Sequence, residues 1–430
     1  MRNGKVWFVM LAVAAVVGQA FGQVPGKTVN IKDAGAVGDG KTINTTTIQK
    51  TIDTLSEQGG GTIVIPAPTG EDGAFVTGAL FLKTGVNVHF EKGAILKGST
   101  DVKDYPTTRT RIEGHFQDWL PALINAVEVD HLKIDGEGTM DGSGTPFYAA
   151  FRAARGAKNL DVPRPRLLFI QHSKDVEISN IKLQNSGFWN LHIYNCDGVT
   201  VDGLDISAPM GSPSTDGIDV DSSRNITIKN TTIANNDDCI ALKGTKGVNA
   251  ASDKDSPPVE HIRISNVTCL RGGALVTCGS EATLVRDVVV EHCKIGPGAV
   301  GGISMLRLKL RTDTPQHYED IHYKDITLDN TGGRATDGAL FSVAPWSQYE
   351  DLQGQPRPTH SIKNISFTDI KGKFGSFGSV RGNNGDTMET LVLENIDLTL
   401  GTPPNANMLG TFKDVTVKNV KFNGVEFKLP

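Results

Sequence analysis

The chain has 430 residues and a formal net charge of −5, so no general affinity for polyanions is expected and nucleic acid is excluded as a partner on charge. The length is ample for a large core, and no apolar run is long enough for a comfortable membrane span. Five cysteines allow at most two disulfides with one thiol left over, and no Cys/His spacing suggests zinc.

In chain order, the first element is a leader. Arg2 and Lys5 precede the apolar run from Val6 to Val17, and Ala20-Phe21-Gly22 offers small residues for cleavage before Gln23. Residues 1–22 therefore read as a signal peptide, and an exported protein, periplasmic or extracellular, is expected. Residues 23–430 show no linker rich in Pro, Gly or Ser, so one domain is predicted. Next comes a cap. Asn44 is placed to cap a helix with Ile48, Ile52 and Leu55 on one face, ended by Gly59-Gly60-Gly61. Strands are predicted at 62-TIVIP, 80-LFLK, 86-VNVHF and 132-LKID.

From about residue 170 one pattern returns: 175-DVEISNIKL, 198-GVTVDGLDI, 225-NITIKNTTI, 261-HIRISNVTC, 287-DVVVEHCKI, 320-DIHYKDITL, 364-NISFTDIKG, 390-TLVLENIDL and 414-DVTVKNVKF. Each copy alternates apolar and polar residues, which is strand periodicity, around a small polar break that suggests a bend between two short strands. The first apolar anchors, from Val176 to Val415, recur at a shortest spacing of 23 to 27 residues. A period of that length without a helical half excludes leucine-rich repeats. Propeller blades need a longer, more regular period. The pattern predicts an all-β solenoid, a single-stranded right-handed parallel β-helix with an N-terminal helical cap. Asn and Asp at the bends suit unusual backbone angles.

Such a fold lines up equivalent residues of successive coils. Asp216 precedes the strand in 215-TDGIDV, and Asp237-Asp238 precede 239-CIAL; Asp216 and Asp237 lie 21 residues apart, close to one coil. If the strands stack, three carboxylates meet. In 303-ISMLRLKL, Arg307 and Lys309 fall near the same face, bordered by Lys243, Lys246, Arg271 and Arg311. Singly these are ordinary features: Asp at a strand start is turn chemistry, and alternating Arg and Lys make a solvated face. Together they suit glycoside hydrolysis, where one carboxylic acid protonates the leaving oxygen and a carboxylate activates water. Crowding raises at least one carboxyl pKa, so that a proton is kept. Basic residues alongside suggest an anionic sugar.

These motifs, in this order, resemble the polygalacturonase family of glycoside hydrolases, family 28. The resemblance also covers 34-AGAVGDGKTINTTTIQKTID, 58-QGGGTIVIP, 93-GAILKGS and 164-RPRLLFIQHSKDVEISNIKLQNSGFWNLHIYNC, nearly the whole of the sequence after the leader. It implies inverting hydrolysis of α-linked galacturonic acid in pectin. By it Asp237 is the general acid, Asp216 and Asp238 activate water, and Arg307 and Lys309 bind a substrate carboxylate. It also implies a Cys239–Cys269 disulfide; Cys196, Cys278 and Cys293 have no clear partners and read as buried thiols. No cofactor or metal is implied, and a monomer is expected. Two positions depart from the family pattern. Ser214 stands for Asn in Asn-Thr-Asp, and Gly272-Gly273-Ala274 stands for Gly-His-Gly, as in rhamnogalacturonan hydrolases of the same family.

Two loop blocks complete the reading. In 345-PWSQYEDLQGQPRP, Trp346 and Tyr349 either stack on sugar or anchor the loop, and Trp346 is taken as a substrate contact. The block 105-YPTTRTRIEGHFQDW-119 contributes Arg109, Arg111, His115 and Trp119. Loops that wall off the groove would make the enzyme exo-acting, and an open groove endo-acting. The competing functions are rhamnogalacturonan hydrolysis, a calcium-dependent pectate lyase on the same fold, and a non-catalytic pectin-binding protein.

Overall fold

The computed structural model describes residues 26–429 apart from 69, 71–72, 301, 330–337 and 405–407, so the predicted signal peptide lies outside the described residues. The anchors read from the sequence form one continuous ladder. Val176 pairs with Val199, then Ile226, Ile262, Val288, Ile321, Ile365, Leu391 and Val415, each strand parallel to the next. Stacking buries the ladder inside the solenoid, and all but Val415 are almost wholly excluded from solvent. Each such side chain contributes roughly 1.5–3 kcal/mol of burial. The chain is a parallel β-helix.

The residue before each anchor has positive φ, for instance Asp175 at 52°, Asn225 at 55° and Asp414 at 52°. The mid-repeat breaks Asn180, Asn230, Asn266, Asp325, Asp369, Asn395 and Asn419 do too. Asn and Asp tolerate this left-handed conformation because their short polar chains bond locally. Here the bonds run between coils: Asn225 donates to Asp197 at 2.6 Å and Asn364 to Asp320 at 2.6 Å. The break separates two strands in early coils, as in Lys174–Ser179 and Lys182–Gln184. In later coils, as in His317–Asp329, it only bends one long strand.

The cap helix spans Thr45–Glu57 and buries Ile48, Ile52 and Leu55. Asn44 occupies its N-cap, but its side chain does not cap the helix. It accepts from the Val37 amide at 2.7 Å and donates to the carbonyls of Val37, Thr42 and Val76, fastening the incoming loop instead. The sequence shows a capping residue; only the fold shows which backbone groups compete for it.

The site rests on a nine-strand parallel sheet whose last five strands are Ile218–Asp221, Ile240–Lys243, Ala274–Cys278, Ser304–Arg311 and Ala339–Trp346. Over this sheet folds an antiparallel hairpin of Thr108–Ile112 and His115–Trp119. Arg111 roots it: Nε donates to Asp221 at 3.0 Å, and Nη2 donates to Asp221 at 3.2 Å and to Thr245 at 3.0 Å. Arg166 adds bonds to the Arg111 carbonyl at 2.8 Å and to Thr110 at 2.7 Å. A disulfide joins Cys239 to Cys269, a loop of 30 residues, worth about 3–4 kcal/mol in chain entropy. Cys196, Cys278 and Cys293 are buried and free.

Candidate active site

The strand register brings the acidic motifs together. Ile218 pairs with Ile240, so Asp216 falls level with Asp238, while Asp237 sits one residue earlier on the rim. Carboxylate oxygens of Asp216, Asp237 and Asp238 all lie within 4.8 Å of one another. Their backbones are fixed by neighbouring coils. The Gly273 amide donates to the Asp237 carbonyl at 2.7 Å, the Gly217 amide to the Asp238 carbonyl at 3.0 Å, and Asn190 Nδ2 to the Asp216 carbonyl at 2.9 Å.

Like charges so close cannot all stay ionised. Lys309 Nζ bonds Asp238 at 2.9 Å, and Arg307 lies 3.5 Å from its other oxygen. Burial alone would raise Asp238, but these two cations overrule it and hold it below the ordinary carboxylate range. Among the described residues Asp237 has no ion-pair partner, and Lys309 and Lys243 act on it only at a distance. Burial, then Asp216 and Asp238, push it up to about 7. Asp219, on the strand after Asp216, is driven well above the ordinary range by burial and by Asp216. Burial also raises Asp216, with Lys243 opposing. One carboxyl on the rim thus keeps its proton while a neighbour is fixed as an anion, which is the division of labour that acid–base hydrolysis needs.

Lys243 is not a free substrate cation. Its Nζ lies 3.3 Å from Asp216, 3.4 Å from Asp219 and 3.8 Å from Glu281, with the Trp189 ring centroid at 4.6 Å. Three carboxylates engage it, so it positions Asp216. Arg271, expected as a substrate contact, lies outside the cleft. Its Nε donates to the Asn235 carbonyl at 2.8 Å, and its Nη2 donates to the carbonyls of Ala208 and Ala234. It clamps a bend, because its strand Thr268–Arg271 belongs to the other sheet.

Around the carboxylates is a cleft of about 330 Å³ lined by Asp216, Asp237, Lys243, Lys246, Arg307, Lys309, Arg311 and Trp346. The Trp346 ring lies 5.0 Å from Lys309 Nζ. Arg311 is bound bidentately to Asp313, at 2.8 and 2.7 Å, and donates to the Gln348 carbonyl at 2.9 Å, which fixes the wall carrying Trp346 and Tyr349. Glu113, Asn159, Trp189 and Glu281 also line the cleft, and sequence reasoning did not single them out. In the 105–119 block none of the four expected residues lines it. Arg109 is exposed near Asp118, Arg111 is buried on Asp221, Trp119 is in the core, and His115 faces solvent. Glu113 does, because it stands at the hairpin tip with φ 42°. The -E-G- between two alternating runs was the available signal for that turn.

Gly273, where the family pattern has His, is explained by space. A Cβ there would lie 2.8 Å from Asp238 Oδ1 and 3.1 Å from Arg307 Nη1. Arg307 fills the position and donates to the Gly273 carbonyl at 2.8 Å. Gly273→Ala is expected to displace Asp238 or Arg307 and lower kcat about 10- to 100-fold, with the fold retained; steady-state kinetics and circular dichroism check this.

A cluster of three carboxylates could by spacing hold a divalent cation, as the lyase reading requires. Here the ammonium groups of Lys309 and Lys243 already sit against Asp238 and Asp216 and would repel one.

The family model described as glycosyl hydrolases family 28 matches residues 79–421. A probable polygalacturonase of Vitis vinifera is 26% identical over 86% of this chain and 74% of its own length. An endo-polygalacturonase of Pectobacterium carotovorum subsp. carotovorum is 27% identical over 87% of each chain. The crystal structure of a hyperthermoactive exopolygalacturonase from Thermotoga maritima superposes with TM-score 0.72 at 20% identity, covering 94% of each chain.

Proposed function

The chain belongs to glycosyl hydrolase family 28 and is a polygalacturonase-type pectin hydrolase, and from that premise we propose that it releases galacturonic acid from chain ends. The observation that carries it is how tightly the hairpin tip packs beside the cleft, which we read as closing one end. Gly114 at the hairpin tip packs so closely that a Cβ there would lie 3.0 Å from the Gly244 carbonyl oxygen and 3.1 Å from Glu281. Glu113 beside it bonds Asn159 and Lys246 across the gap. Lys158 Nζ sits 5.7 Å from the ring centroid of Tyr349, which also lines the cleft. A polymer threading through needs both ends open; a pocket takes an end.

In the proposed reaction Asp237 gives its proton to the glycosidic oxygen. Asp238 and Asp216 orient one water and take its proton as its oxygen attacks the anomeric carbon. The C–O bond to the leaving sugar breaks, and that sugar departs as an alcohol. Carboxylates this close also suit a covalent intermediate, for which about 5–5.5 Å is usual. Direct attack by water is favoured because each candidate nucleophile is already held by an ammonium group. Lys309 and Arg307 face the substrate carboxylates. The apolar leader supports export of the enzyme.

The test is digestion of polygalacturonate and of rhamnogalacturonan, with and without chelator. Monomer as the first product, slow loss of viscosity, no ultraviolet-absorbing product and indifference to chelator are expected on polygalacturonate. The first-formed anomer, read by proton NMR, should be inverted. Early oligomers would replace the exo reading with internal cleavage, and activity on rhamnogalacturonan alone would replace the substrate.

A further inference from the structure

Five cationic side chains line the cleft, and most are already engaged. Lys243 serves three carboxylates, Lys309 serves Asp238, and Arg311 serves Asp313. Arg307 and Lys246 keep donors to spare. Lys246 has one carboxylate partner among the described residues, Glu113, at 3.5 Å, long for a charge-assisted bond. Its side chain is 15% exposed, and it lines the cleft. Glu113 is itself shared with Asn159 Nδ2 and buried beside Glu281, both of which line the same cleft.

A terminal galacturonate brings one anion into this closed end. A desolvated carboxylate there needs a cation with free donors, and the Arg307 guanidinium is placed against Asp238 and the Gly273 carbonyl rather than beside the hairpin tip. We propose that Lys246 takes the carboxylate of the chain-end uronate, with Glu113, itself bonded by Asn159, holding the ammonium in place, so that the closed end selects a charged sugar over a neutral one. This rests on the exo reading and adds to it the residue that reads the terminal sugar. A merely structural Lys246 would tie the hairpin to the loop after Ile240–Lys243 and discriminate nothing.

The experiment compares two trisaccharides, trigalacturonate and the same molecule methyl-esterified at its non-reducing-end residue. The wild type should prefer the acid by about 100-fold in kcat/KM, because a site built around a charged partner rejects the analogue that lacks it. Lys246→Met should lower kcat/KM for the acid about 100-fold more than for the ester, collapsing the preference. Lys246→Arg should keep most of it. The ratio is measured within one preparation, so a partly unfolded sample does not alter it. A preference unchanged in Lys246→Met, or both substrates falling together, overturns the proposal. If the wild type releases monomer but the ratio does not move, only this assignment fails; if the wild type cuts internally, the exo reading fails and this assignment fails with it.

Discussion

Asp237→Asn is expected to lower kcat by about 100-fold or more, since general acid catalysis is typically worth that much. The amide is close in shape and cannot donate a proton of comparable acidity. Binding should change little, so KM stays near its wild-type value. The same assignment fixes the pH dependence. Asp237 must be protonated to act, and burial with two neighbouring carboxylates pushes it up to about 7. Activity should therefore hold through mildly acid pH and fall as pH rises through about 7. Asp238 must be ionised, and Lys309 and Arg307 hold it below the usual range against burial. If Asp238 is the base that sets it, the acid limb lies below the ordinary aspartate value of about 3.9, and a limb above that value assigns the base to Asp216, which burial raises. Both limbs are properties of the coupled cluster. In Asp237→Asn the residual activity should lose its alkaline limb. A variant retaining a tenth of wild-type turnover, or one that keeps the limb near 7, would move the acid role to another group.

The solenoid was legible because its information is local and repeated. Nine apolar anchors, each preceded by a residue able to take positive φ, give register and bends together, and the observed ladder runs through all nine. The acidic trio was legible for the same reason, since coil spacing converts sequence distance into proximity. The errors share a cause. Arg271 and Lys243 were judged by charge and position, yet a cation's role depends on which acceptors the fold offers. Arg271 meets only carbonyls, and Lys243 meets three carboxylates. Glu113 comes from a hairpin tip and Glu281 from the bend after Ala274–Cys278, where nothing periodic places a side chain. Asn44 was assigned to the nearest helix end, and the loop used it first.

Arg111→Met should have the largest effect on stability. Arg111 and Asp221 are each about 1% exposed and bidentate, and removing one member of a buried pair typically costs about 3–5 kcal/mol. His192, 3.3 Å from Asp221, cannot readily replace the lost cation, because burial pushes its own pKa down to about 3. In the folded wild type, burial opposes and Arg111 then His192 enforce a depressed Asp221 pKa. That stabilisation is present above the unfolded aspartate value of about 3.9 and is lost as pH falls through the folded one. The wild type should thus lose stability in acid more steeply than the variant, as denaturant titrations at pH 7 and pH 3 would record. Arg111 also roots the hairpin whose tip is proposed to close the cleft, so the variant links packing to product. With the hairpin loosened, chains can thread past the wall, and oligomers should join monomer among the early products. Should stability fall while monomer remains the sole product, the hairpin contributes to the fold without setting where the chain is cut, and the wall around Trp346 and Tyr349 becomes the one that stops it.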